Sequence, residues 1–205
     1  MKATRLLAFK RLVSLLSSTN SASGGHRERW LSVVGGFIGI YALLWISGTV
    51  LDRQGATIVM ASMGASAVLV FALPHGALAQ PWAVFGGHIT SALIGVSCAK
   101  LLDDPFFATA VAVALAIAVM SYLHCIHPPG GATAMIAVVG GEPVQQLGYG
   151  FVIYPVLINV MIILAIATVV NLPFNHRRYP KAFSGFSLSK ASMDDKADSD
   201  LNKSA

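Results

Sequence analysis

No side chain from Gly55 to Ala99 carries a formal charge. A stretch that long cannot be coated for water, because a soluble domain needs about 25% charged residues at its surface. The whole chain has 11%, with 55% hydrophobic residues and a mean hydropathy of +0.69. Between Trp30 and Asn175 the charged residues are Asp52, Arg53, Lys100, Asp103, Asp104 and Glu142, whereas six of the 14 Lys and Arg precede Trp30 and six follow Asn175. This segregation predicts a polytopic membrane domain over residues 30–174, a basic tail over 1–29, and a tail over 175–205 that is first basic and then polar.

The positive-inside rule places both termini in the cytoplasm, which requires an even number of crossings and fits a bacterial inner membrane. The +5 net charge then reads as topology and as contact with the lipid bilayer's anionic head groups. No nucleic-acid partner is expected, since basic residues interleaved with stacking aromatics are absent. Residues 1–24 are basic, Ser-rich and free of acid. They read as an amphipathic helix lying on the membrane, or as a transit peptide, which would place the chain in an organelle membrane. The terminal KASMDDKADSDLNKSA reads as disordered. Cys98 and Cys125 lack the spacing of a disulfide framework or a zinc site and read as buried thiols, so no metal and no cofactor is expected.

Apolar segments occur at about 30–51, 56–74, 82–102, 105–123, 128–140 and 147–172. In lipid such runs are helices, because an exposed strand leaves its backbone unsatisfied. The expected fold is therefore all-α: a polytopic membrane helix bundle of six apolar segments, four full-length and two short or broken. The fifth segment is too short to cross as a straight helix, given about 30 Å of hydrocarbon and 1.5 Å per residue. MGASAVLV at 63–70 lies over GGATAMIA at 130–137 with an offset of 67 residues, pairing Gly64 with Gly131 and Ser66 with Thr133. The domain thus reads as two copies of long–short–long. If the short segments cross, the copies are inverted; if they re-enter, the copies are parallel.

In SYLHCIHPPGGATAMIAVVGG (121–141) the apolar pattern stops, and prolines, glycines and imidazoles arrive together. Pro128 and Pro129 suit the first turn of a new helix, and residues 125–127 before them are expected to be non-helical. A broken backbone at membrane depth is tolerated where it is buried in protein or lines a cavity. The N-terminus of the new helix would offer unpaired N–H groups to an anion, approached past Gly130 and Gly131, with Thr133, His127 and His124 as further donors. Ser62, Gly64 and Ser66 would form the matching terminus of a helix beginning near Ser62. His88 and Asn159 are further candidates from the neighbouring segments, each with a helix-to-helix hydrogen bond as its plainer role. Gly64 and Gly131 equally suit close helix packing. With donors present and acidic residues absent, a small anion is favoured over a cation.

Four stretches, HPPGGATAM (127–135), ASMGASAVLVFALP (61–74), LAQPWAVFGGHITSALIGV (78–96) and GYGFVIYPVLINV (148–160), resemble the HPP family of integral membrane proteins, named for His–Pro–Pro. The resemblance implies four membrane-spanning helices and a transport function, with nitrite implicated for some plastid and cyanobacterial members. Many members carry a C-terminal pair of CBS domains, which are not found here, so nucleotide sensing in cis is not expected. The function expected is a transporter or channel for a small monovalent anion, nitrite first, bound where the helices starting near Ser62 and Pro128 converge. The alternative is a membrane scaffold or subunit whose small-residue faces pack against a partner. An enzyme is not expected: H-E-x-x-H and G-x-S-x-G are absent and the acids sit in loops. A homo-oligomer is the expected assembly.

Overall fold

The structure is a computed structural model, and the residues it describes are 25–48, 53–174, 177 and 179–181, without the side chains of 53–59. The expectations for residues 1–24 and for the terminal stretch 190–205 lie outside these. Residues up to Trp30 form one unit and those from Leu31 onward another. The described part of the first unit is the beginning of helix α1; the other helices belong to the second.

Regular structure among the described residues is helical. Helix α1 spans His26–Ser47 and α2 spans Arg53–Ala67, widening into a π-helical segment over Val68–Ala72. A 3-10 turn at Ala77–Ala79 leads to α3 (Pro81–Leu101), α4 (Pro105–Tyr122), α5 (Pro128–Val139) and the single turn α6 (Glu142–Gln145). A second π-helical segment, Val152–Leu157, runs into α7 (Ile158–Asn171). Four helices are long and apolar enough to cross a membrane: His26–Ser47, Pro81–Leu101, Pro105–Tyr122 and Val152–Asn171. Met60–Ala72 and Pro128–Val139 are shorter apolar helices.

The helix starts follow the prolines. Pro81, Pro105 and Pro128 each occupy the first turn of their helix, where a missing N–H leaves no intrahelical bond unmade. Asp104 caps α4 by accepting from the Phe107 N–H at 2.6 Å. Several boundaries differ from the apolar pattern: α1 ends at Ser47 rather than near 51, and α2 starts at Arg53 rather than near 56. Helix α1 begins four residues before Trp30, with Glu28 in its first turn, where a carboxylate favours the helix dipole. The last span begins at Val152 rather than near 147, because residues 146–149 fold as turns with Gly148 at φ +50°. One expectation is corrected outright: no helix begins near Ser62. Helix α2 starts at Arg53, and Ser62 lies in its interior. Its backbone N–H is therefore committed to the helix and forms no anion-binding terminus.

Packing is closest between α3 and α5. Ala83, Gly87, Ser91 and Gly95 recur every four residues along one buried face of α3, a small-residue stripe that lets backbones approach. A Cβ added at Gly130 would lie 2.8 Å from the Gly87 carbonyl oxygen and 2.9 Å from Ser91 Oγ. Helix α4 covers the other side of this pair with buried Ala108, Ala112, Ala116 and Met120. On α1, Gly35 and Gly39 accept the ring of Phe71, which a Cβ would meet at 2.7 and 2.9 Å. Buried Phe71, Leu43, Met63, Phe151, Val160 and Ile163 form the second part of the core.

Beyond α7 the chain folds back. The Tyr179 hydroxyl donates to the Ala79 carbonyl at 2.7 Å, and burial pushes the Tyr179 phenol pKa up. Arg177, 4% exposed, donates to Asn171 Oδ1 and Ser32 Oγ, each at 3.1 Å, and to the Phe71 carbonyl. One guanidinium thus joins α1 and the ends of α2 and α7.

Candidate functional site

Where α2, α3 and α5 meet, four of the residues singled out in the sequence form one hydrogen-bonded chain. Ser66 Oγ lies 2.8 Å from His88 Nε2 and 2.9 Å from His127 Nε2. His88 Nδ1 lies 2.7 Å from Thr133 Oγ1. His127 Nδ1 lies 2.7 Å from the Leu78 carbonyl oxygen. The two imidazoles meet edge to face, with centroids 4.9 Å apart. Ser66, His88 and His127 are fully buried, and Thr133 is 1% exposed.

Each side chain is placed by local backbone. His127 is the extended residue before Pro128, as the proline demands, and its Cβ rests on Gly87, where an added Cβ would approach it to 2.6 Å. His88 comes directly after Gly87 on α3. The residues 125–127 are non-helical, which frees His127 to turn away from the helix axis and reach both Ser66 and Leu78. Ser66 and Thr133 occupy equivalent places in the 67-residue offset, and each bonds a different nitrogen of His88. No charged residue occurs in α2 beyond Arg53, in α3 before Lys100, or anywhere in α5.

The other candidates divide. Ser62 is buried and its carbonyl lies 3.1 Å from the Ser66 hydroxyl. Pro129 supplies a carbonyl 3.3 Å from Thr133 Oγ1, while Pro128 is exposed. Gly130 is a packing residue, as its contacts with Gly87 and Ser91 require. Gly64 and Gly131 have nothing within 4 Å of an added Cβ, so close packing does not call for glycine at either. Gly64 instead borders an apolar groove of ≈ 330 Å³ with Phe37 and Phe71. Gly64→Ala and Gly131→Ala should each leave thermal stability unchanged or raise it by up to about 1 kcal/mol, as alanine does in a helix; a fall in melting temperature would contradict this placement. His124 is exposed at φ +52° and stands outside the chain of hydrogen bonds. Asn159 is 1% exposed and accepts from Ser47 at 3.0 Å, with no protein acceptor for its Nδ2.

The Leu78 carbonyl is invisible to residue-type reasoning, because its role is a backbone one. Ser47 and Arg177 are also missed by it. A lone hydroxyl at the end of an apolar run is a weak signal, and Arg177 reads as one tail charge among several. Among the described residues no group of three or more His, Cys, Asp or Glu is arranged to hold a metal ion.

The HPP transmembrane-region family model matches residues 21–180. A transmembrane protein of Dictyostelium discoideum is 38% identical over 156 residues, covering 74% of this chain and 53% of that protein. A second from the same organism is 37% identical over 155 residues, covering 74% of this chain and 49% of its own length. The chain thus spans about half the length of these curated relatives. No solved structure matches it. The family match over most of the chain means that this chain belongs to the HPP transmembrane family.

Proposed function

We propose that the chain is a membrane transporter for a small monovalent anion, nitrite foremost, and that the solute passes the contact between α2, α3 and α5. The observation carrying this reading is the buried cluster of two imidazoles and two hydroxyls with no acidic side chain among its partners. Any positive charge arising there has no resident counter-ion, and an unpaired charge inside a membrane protein is costly. A passing anion offsets it. The unpartnered Nδ2 of Asn159 is a further donor.

The proposal includes six passes. Residues 53–72 give 15 plus 5 helical residues, or about 30 Å at 1.5 Å per residue, the thickness of the hydrocarbon layer. Support for a full crossing comes from the ends. Helix α1 finishes at Ser47 and α2 begins soon after, whereas Phe71, near the far end of α2, shares Arg177 with Ser32, near the start of α1. For α5, the non-helical residues 125–127, of which His127 is extended, supply the reach that 12 helical residues lack. Each half then crosses three times, so the halves are inverted, with the cluster between their short helices as in other repeat-built transporters.

The test is nitrite uptake into proteoliposomes against protein-free vesicles. Uptake above the control is expected, falling about tenfold or more in His127→Ala, the equivalent of a lost charge-assisted hydrogen bond. Uptake equal to the control in both would overturn the proposal.

A further inference from the structure

The geometry points to the cluster as a store and relay for one proton, with Ser66 passing it between His88 and His127, so that the ion moving with the anion is a proton. This rests on the transport reading for its purpose, but not for its geometry.

The proton positions are fixed by the partners. A carbonyl oxygen only accepts, so His127 Nδ1, 2.7 Å from Leu78 O, must carry hydrogen. In the neutral cluster His127 Nε2 then accepts, and the Ser66 hydroxyl donates to it. Ser66 has one hydrogen; given to His127 Nε2, it is withheld from the longer contact with the Ser62 carbonyl at 3.1 Å, and the contact with His88 needs His88 Nε2 to donate. His88 Nδ1 is left to accept from Thr133. Neutral His127 is therefore the Nδ1–H tautomer and neutral His88 the Nε2–H tautomer, with every hydrogen bond running one way.

A single added proton fits the same heavy-atom positions. A proton received by Thr133 Oγ1 releases that hydroxyl's own hydrogen to His88 Nδ1. His88 Nε2 passes its hydrogen to Ser66, and Ser66 passes its own to His127 Nε2. Each atom that gains a hydrogen loses one, except at His127, which ends as imidazolium; within His88 the gain is at Nδ1 and the loss at Nε2. No bond between heavy atoms changes and no electron is transferred. In this second state His127 donates to Ser66 and Leu78, Ser66 donates to His88, and His88 donates to Thr133. The Thr133 hydroxyl is then free for the Pro129 carbonyl at 3.3 Å. Both states thus leave every donor with an acceptor. Cys125, whose Sγ lies against Gly86, and Cys98, in one buried cluster with Ala134 and Val138 of α5, are further ionisable side chains where α3 and α5 pack.

The experiment has two arms on the full chain. Histidine-selective 15N NMR in nanodiscs is expected to show the Nδ1–H tautomer at His127 and the Nε2–H tautomer at His88, with acidification adding one proton to the pair. The opposite tautomers, or two independent titrations, would overturn the relay whether or not nitrite moves. In proteoliposomes holding a pH dye, nitrite uptake is expected to bring protons beyond the protein-free control. Ser66→Ala should reduce that proton movement roughly tenfold, while Ser66→Thr, which keeps the hydroxyl, should retain it. Nitrite uptake with no accompanying proton would sink the relay and leave transport standing. Correct tautomers with no nitrite uptake would sink the transport reading and leave the relay standing.

Discussion

Gly95→Val should abolish the folded membrane domain or lower its stability by about 3 kcal/mol or more, at the upper end of what overpacking costs. An added Cβ at Gly95 would stand 2.6 Å from the Ala134 carbonyl oxygen, 2.7 Å from Ala137 Cβ and 3.0 Å from Ala134 Cα. Two of these are backbone atoms of α5, so no rotamer change relieves the clash and the helices must separate. Separation acts on the site as well, because α3 carries His88 and α5 carries Thr133, joined at 2.7 Å. The expected result is loss of the monodisperse species in detergent, or a melting temperature lower by roughly 10 °C. Gly131→Ala, on the open side of α5, is the matched control and should leave both readouts in place. A Gly95→Val protein as stable as the parent would mean that α3 and α5 are not in backbone contact.

That contrast between glycines shows where the sequence was legible. Helix class and most span boundaries follow from apolar length and from prolines, both one-dimensional properties. The break at 125–127 was legible for the same reason, since proline acts on its immediate predecessor. His127, Ser66, His88 and Thr133 were each identifiable as polar groups at membrane depth, where such groups are costly. Their meeting was not, because it depends on how far α2, α3 and α5 approach, which only the small-residue faces in three dimensions decide. The same limit misplaced the helix expected to begin near Ser62. Small residues there look like a break, yet Ser62 and Ser66, four residues apart and both buried, also permit a continuous helix against close neighbours. Gly130 and Gly131, adjacent in sequence, illustrate the point: one lies under a carbonyl and the other faces open space.

Arg177→Met should be the most destabilising change outside the helices. The methionine keeps most of the side-chain length and removes the donors. Asn171 Oδ1, Ser32 Oγ and the Phe71 carbonyl each lose a charged partner, and hydrogen bonds to charged groups contribute about 1.5–3 kcal/mol each. Phe71 O lies at the end of α2, where carbonyls lack helical partners and a cation is favoured. Asn171 cannot turn away without cost, because its Nδ2 donates to the Ala167 carbonyl at 2.7 Å. A loss of about 3 kcal/mol is expected, allowing for the partial recovery of Ser32 through other contacts. Thermal unfolding in detergent should show a melting temperature lower by roughly 10 °C. Arg177→Lys, a single compact donor in place of a planar fork, should fall between the two. An unchanged melting temperature in Arg177→Met would mean that this residue is a surface charge after all, holding no helices together.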